Sequence, residues 1–318
     1  VQRFLTAAYG SEHHYFYIRR KMKKAGYIYA AIAVIGWGTM FICCKIALEV
    51  MSPMLLLFFR YAICVAVLCI IYRKVPRPKI DKKDWKYVIV IGVVGYFFVI
   101  WVQQKGTGMV DASMASLMNT LTPVLIIVFA IFILHEKSSI QQVIGIAVTV
   151  IGSMIVIGGA GSGNSLAGIA VCSGGMAGWA LISVIIRKTC FKYDAIWLTI
   201  YTSIIAMLCS VPFTARELAG LISHGSMSVM QIAAVIWLGV ICTAGANLWW
   251  NKSLEIMEAA KCSLFYALLP LTTALLGILI LGEHLTVNFI IGGIVIIGGM
   301  IFAVASEMLP GRKDEEGE

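Results

Sequence analysis

Between residues 26 and 306 the chain is a succession of ten apolar blocks, near 26–48, 53–72, 87–104, 111–134, 139–158, 166–186, 195–213, 229–250, 259–281 and 286–306. Almost all are free of charge except at their ends. At roughly 1.5 Å of rise per residue, each is long enough to cross about 30 Å of hydrocarbon as a helix. Lipid offers no hydrogen bonds, so a spanning backbone must satisfy itself, and blocks of this length do so as α-helices. The expected fold is therefore all-α and polytopic, with ten transmembrane helices. The second block is the weakest, because it carries Arg60.

Composition agrees. Sixty per cent of the 318 residues are hydrophobic and 13 per cent are charged, with a mean hydropathy of +0.91. A water-soluble domain needs more charge than that to cover its exterior. The net charge of +9 does not point to nucleic acid, because the basic residues lie in the breaks between blocks and form no single face. The nine cysteines contain no C-x-x-C pair and mostly fall inside apolar blocks, so they read as small buried residues without a metal or disulfide framework. No cofactor and no metal is expected.

Residues 1–25 are polar and basic and run into the first block without a small-residue cleavage site, which reads as a signal anchor with a cytoplasmic tail. Met22-Lys23-Lys24 reads as a native start, leaving residues 1–21 without an assigned role. With the N-terminus inside, alternate segments hold twenty of the 25 basic residues on the cytoplasmic side and two, Lys105 and Arg216, outside. That asymmetry puts both termini, including the tail 307–318, in the cytoplasm and the protein in the plasma or inner membrane.

The two halves, 26–159 and 166–306, repeat one another. At an offset of 147, Pro123 and Glu136 map onto Pro270 and Glu283, Asp111 onto Glu258, Ser116 onto Ser263, Gly145 onto Gly292 and Gly152 onto Gly299. At 142, Gly36-Trp37 maps onto Gly178-Trp179 and Lys45 onto Arg187. Five spans per half is an odd number, so the second half is expected upside down relative to the first. Inverted repeats give transporters two nearly equivalent conformations around a site at the bilayer midplane.

Trp37-Gly38 followed by Lys45, Arg60 in the second block, the Pro-x12-Glu of the fourth and ninth blocks, and the Gly-x6-Gly of the fifth and tenth together resemble the EamA domain family of the drug/metabolite transporter superfamily. The resemblance covers roughly residues 26–306. It implies ten helices, alternating access, and export or facilitated movement of amino acids or related metabolites.

Depth along each block selects the candidate cavity residues. Pro123 and Pro270 lie near mid-span, where a proline frees the carbonyl four residues earlier, that of Asn119 and of Tyr266. A freed carbonyl beside a polar side chain suits a substrate site; the plain alternative is a kink satisfied by neighbouring helices. Trp37, Tyr96, Trp179, Thr243 and Asn247 are also mid-span. The aromatic residues could line a pocket or simply pack between helices, and the amide of Asn247 needs a partner that a cavity could supply.

Lys45, Arg60 and Lys261 are cations within spans. Lys45 and Lys261 are close enough to an end to snorkel. Arg60 reads either as a structural fork on helix-end carbonyls, the favoured reading, or as an attractor for a substrate carboxylate. Glu136 and Glu283 lead into the fifth and tenth spans beside hydroxyl caps; gating or proton coupling is the sharper alternative to simple helix-end electrostatics. The glycines at 145, 152, 292 and 299 share one face by their spacing and mark close packing, within the chain or between subunits of a homodimer.

The function expected is transport of a small metabolite, an amino acid or a derivative of one, outward through the lipid bilayer by a monomer or homodimer. A flippase or exporter of lipid-linked or drug-like amphiphiles on the same fold is the alternative. An intramembrane enzyme is remote, because no in-span His or Asp, H-E-x-x-H or G-x-S-x-G is present, and no phosphate-binding loop suggests ATP-driven pumping.

Overall fold

A computed structural model describes residues 12–119, 122–135, 139–158, 165–190, 192–224, 227–282 and 286–308. Every regular element among them is helical. We number the helices α1 (Glu12–Leu48), α2 (Pro53–Ile71), α3 (Trp85–Met109), α4 (Ala112–Met118), α5 (Thr122–Leu134), α6 (Ile140–Gly158), α7 (Leu166–Cys190), α8 (Ala195–His224), α9 (Val229–Ile256), α10 (Ala259–Ser263), α11 (Leu268–Leu281) and α12 (Val287–Met308).

Among the described residues, six helices are long and apolar enough to cross a membrane: Lys24–Leu48 of α1, α2, α3, α7, Ala195–Ala215 of α8, and α9. The burial pattern is that of a protein solvated by lipid. Polar side chains such as Arg60, Gln104, Asn119 and Asn251 are buried, whereas Phe132, Ile294 and Leu279 on outer faces stay 66–76 % exposed. In water such a surface would drive association; hydrocarbon accepts it.

The helices of the first half recur in order in the second. Leu48 and Cys190, the C-terminal ends of α1 and α7, coincide at the offset of 142 found in the sequence. At 147, the π-helical stretch of α3, which begins at Ile91, meets that of α9, which begins at Leu238. The only two residues with positive φ among those described, His135 (φ 55°) and Gly282 (φ 65°), are also 147 apart. They follow α5 and α11, where a left-handed residue stops a helix by turning its backbone back onto the last carbonyls.

Packing contacts recur in the same way. A Cβ on Gly92 would sit 2.7 Å from Ile205 Cβ, and one on Gly239 would sit 2.5 Å from Ile63 Cβ; the offsets turn one pair into the other. Gly152 lies against Gly292 and Gly299 against Gly145, each so close that a Cβ would come within 2.8 Å of the facing carbonyl oxygen. Since 152 faces 292 while 145 faces 299, α6 and α12 run antiparallel. The glycine stripe thus packs within the chain.

Pro270 stands in an unbroken helical run that tightens into a 3-10 turn over Leu264–Ala267 just before α11, of which it is the third residue. That tightening fits the loss of the ordinary backbone bond at a proline. Pro123 is the second residue of α5, and residues 120 and 121 just before it lie outside the described residues.

Candidate functional site

One small hollow opens among α1, α2, α3, α7 and α9, the end of α4, and the 3-10 turn that leads into α11. Its walls are Trp37, Met40, Arg60, Ile100, Gln103 and Asn119 from the first half and Trp179, Asn247, Tyr266 and Leu269 from the second. Three pairs in this wall are equivalent by the repeat offsets: Trp37 with Trp179, Ile100 with Asn247, and Asn119 with Tyr266. The hollow therefore lies where the two halves meet. Its free space amounts to ≈ 20 Å³ for the centre of a water-sized molecule, which fits about one water. A metabolite enters only if these walls part.

The aromatic wall is a single cluster. Trp37 meets Trp179 edge to face at 5.6 Å between ring centroids and also packs on Trp250 at 5.3 Å and Tyr266 at 6.1 Å. The two tryptophans that line the hollow have their indole N–H groups partnered: Trp37 Nε1 donates to the Cys242 carbonyl at 3.1 Å, and Trp179 Nε1 to the Tyr266 hydroxyl at 2.7 Å. Edge and tilted contacts suit the ring quadrupoles.

The polar wall is less well satisfied. Arg60, only 2 % exposed, donates from Nε to Thr243 Oγ1 at 3.0 Å and from one terminal nitrogen to Gln104 Oε1 at 2.5 Å. Its other terminal nitrogen faces the Met40 sulfur at 3.3 Å. Gln103 Nε2 likewise reaches only a thioether, that of Met176 at 3.4 Å, and sulfur is a weak acceptor. The amide of Asn247 has no hydrogen-bond partner among the described residues, and Asn119 Oδ1 accepts only from Thr122 at 3.3 Å. Groups with spare hydrogen-bonding capacity thus converge on one spot, which is how ligand sites in mostly apolar hollows are built. The acceptors of Arg60 are side chains and not the helix-end carbonyls expected of a structural fork.

Of the residues singled out from the sequence, Trp37, Arg60, Asn119, Trp179, Asn247 and Tyr266 line the hollow. Tyr96, Thr243, Pro123 and Pro270 are buried but stand behind it. Tyr96 stacks on Tyr61 at 5.8 Å and accepts from Asn251 Nδ2 at 3.1 Å, and Thr243 acts through Arg60. Lys45 is half-buried in the last turn of α1, and Lys261 pairs with Glu258 at 3.1 Å. Glu136 and Glu283 lie outside the described residues.

Met40, Ile100, Gln103 and Leu269 complete the wall without having been marked by the sequence. Gln103 was hidden because Gln103-Gln104-Lys105 reads as the end of an apolar block. The helix continues to Met109, which draws both glutamines inside.

Polar contacts also join the loops at the two ends of α2. Lys192 Nζ bridges Asp81 at 2.5 Å and Asp84 at 2.7 Å, and the Tyr193 hydroxyl donates to Asp84 at 2.7 Å. At the opposite end, Ser52 contacts Glu217, and Gln231 donates to Glu49 at 3.3 Å. The Lys192 ammonium, then the Tyr193 hydroxyl, hold the Asp84 carboxyl below its ordinary pKa, and the same aspartates raise that of Lys192.

Comparison with known proteins places this architecture. The chain is 26 % identical over 278 residues to an uncharacterized transporter of Archaeoglobus fulgidus, covering 87 % of this chain and 97 % of the relative. It is 25 % identical over 293 residues to the uncharacterized transporter YyaM of Bacillus subtilis, covering 88 % and 93 %. A crystal structure with a TM-score of 0.68 and 19 % identity matches 89 % of this chain and 97 % of its own, which bears on the fold alone. The model of the EamA-like transporter family matches twice, over residues 24–158 and 166–305. Those two stretches are the ones that the paired helices, the paired π-helical stretches and the paired glycines had already set side by side, and the chain belongs to the EamA-like transporter family.

Proposed function

We propose that the chain carries a small metabolite across the cytoplasmic membrane by alternating access, through ten spanning helices arranged as two inverted five-helix repeats. In this reading α4 with α5, α6, α10 with α11, and α12 supply the four spans beyond the six long ones, and both termini are cytoplasmic. The observation that carries it is the reciprocal packing of α6 against α12. Exchanging the halves turns Gly152–Gly292 into Gly299–Gly145 along antiparallel helices, which is the contact expected across a two-fold axis lying in the membrane plane.

Such an axis gives the two access states closely similar packing, so that a small differential affinity of the substrate shifts the balance between them. The tight hollow on the axis is then the place where a substrate is enclosed between openings. The substrate class proposed is amino acids or related compounds, moved outward by a monomer or homodimer with the bilayer as its only obligatory partner.

Counterflow in proteoliposomes, run with amino acids, nucleosides and cationic drugs, tests this. Amino acids or close derivatives should exchange. Exchange of bulky cations with no amino acid carried would reject the substrate class, and absence of any exchange across the panel would reject the transport reading.

A further inference from the structure

Arg60 is a buried guanidinium with no counter-charge. Its acceptors are an amide oxygen, a hydroxyl and a thioether, and no described carboxylate lies within ion-pair distance of it. Removing a charge from water without an opposite partner is costly, and side chains in that position are retained where something recovers the cost. The architecture itself does not require the charge. At the offset of 142 the equivalent position on α8 is Thr202, an uncharged residue that merely bonds back to the Leu198 carbonyl at 2.8 Å. The same packing, glycine against isoleucine one turn away, forms around both.

Arg60 lines the hollow. One terminal nitrogen is held by Gln104, which is itself fixed by donating to the Pro53 carbonyl at 2.7 Å. The other meets only the sulfur of Met40, a flexible side chain on the same wall. Displacing that sulfur would expose two parallel N–H directions, the arrangement that matches a carboxylate. The same wall holds Trp37, Trp179 and Tyr266, which offer apolar and aromatic faces, and no residue of the wall is acidic.

From this we infer that Arg60 seats the carboxylate of the transported compound, and that the hollow selects organic acids with one carboxylate and an apolar or aromatic body, with or without an amino group. The inference rests on the hollow being the transport site. Its chemical content is that the carboxylate is required and the ammonium is not. An ammonium meets only amide oxygens and ring faces, whereas the carboxylate meets the one formal charge in the wall.

The test uses the full chain in detergent and in proteoliposomes with four probes of one shape: phenylalanine, 3-phenylpropionate, phenylalanine amide and phenethylamine. The two carboxylates should raise the melting temperature and compete in counterflow, and the amide and the amine should do neither. Arg60→Gln should weaken the carboxylates by about tenfold or more, and Arg60→Lys should retain part of the binding as a point charge without the fork. Because Arg60→Gln could also unfold the chain, the wild-type comparison of acid with amide decides by itself. If the amide or the amine acts as well as the acids, or if neither acid acts at all, the carboxylate seat is wrong. If Asn247→Leu leaves counterflow of every carried compound unchanged, the hollow is not the transport site, and both readings fall.

Discussion

Trp37 and Trp179 hold equivalent places at the offset of 142 and meet edge to face, 5.6 Å apart, in the wall of the hollow. Equivalent residues touch one another near a symmetry axis, so the proposed two-fold axis has to pass close to this contact. Their hydrogen bonds nevertheless differ. Trp37 donates to a backbone carbonyl and Trp179 to the Tyr266 hydroxyl, because position 266 is a tyrosine where the first half has Asn119. The frame is shared, and its polar chemistry is not.

The axis can be tested at a distance from the hollow. A side chain on Gly152 or Gly299 must displace a facing backbone carbonyl, 2.8 or 2.7 Å from the new Cβ. Gly152→Val and Gly299→Val should therefore destabilise by about 1–3 kcal/mol each, as overpacking does. Gly293→Ala, where nothing lies within 4 Å of the new methyl, should be neutral or slightly stabilising. Melting in detergent measures all three. Equal penalties at 152 and 299 are the signature expected, and a penalty at 293 matching theirs would contradict the packing.

The repeat was legible in the sequence to the residue. Offsets of 142 and 147 place the C-terminal ends of α1 and α7, the start of both π-helical stretches and the two left-handed stops. Side-chain direction was less legible. Depth along a span correctly puts Tyr96 and Thr243 at the level of the hollow, but depth says nothing about azimuth, and both point into the packing behind it. Pro270, mid-block in sequence, falls where a continuous helical run tightens into a 3-10 turn. Gln103 was lost at a block end that hydropathy drew five residues too early.

Azimuth makes its own prediction. Asn247 and Asn251 are one turn apart on α9, yet Asn247 presents its amide to the hollow while Asn251 donates to Tyr96 and, at 2.7 Å, to Thr199. Asn251→Leu should lower stability by about 1–3 kcal/mol, since it strands two buried hydroxyls, and leave the order of preferred substrates intact. Asn247→Leu should leave membrane abundance and melting near wild type and impair flux. Thermal melting set beside counterflow separates the two, and a reversal of these outcomes would exchange their roles.

The indole of Trp37 offers a narrower test. Trp37→Phe keeps much of the aromatic face and removes only the N–H to the Cys242 carbonyl, which costs about 1 kcal/mol for a buried hydrogen bond. Trp37→Ala removes the packing against Trp179, Trp250 and Tyr266 and should cost about 3–5 kcal/mol. If the wall serves mainly as an apolar surface for the substrate, flux should survive in Trp37→Phe and fail in Trp37→Ala. Comparable loss in both, at equal abundance, would show that the indole N–H matters more than the surface.

The bridge of Lys192 to Asp81 and Asp84 has a defined pH window. Asp84 has a lowered pKa in the folded chain, so its contribution is present above the ordinary carboxylate value of 3.8 and is lost as the pH falls through the lower folded one. Lys192 has a raised pKa, so its contribution is present below the ordinary 10.5 and is lost only as the pH rises beyond that. Between about pH 5 and 9 both groups keep their charges, and the bridge should not titrate. The Lys192 side chain is 48 % exposed, so salt should screen the pair. The melting difference between wild type and Lys192→Ala should accordingly be flat across that pH range and shrink with added salt. A difference that rises or falls between pH 5 and 8 would mean that another titrating group holds these loops together.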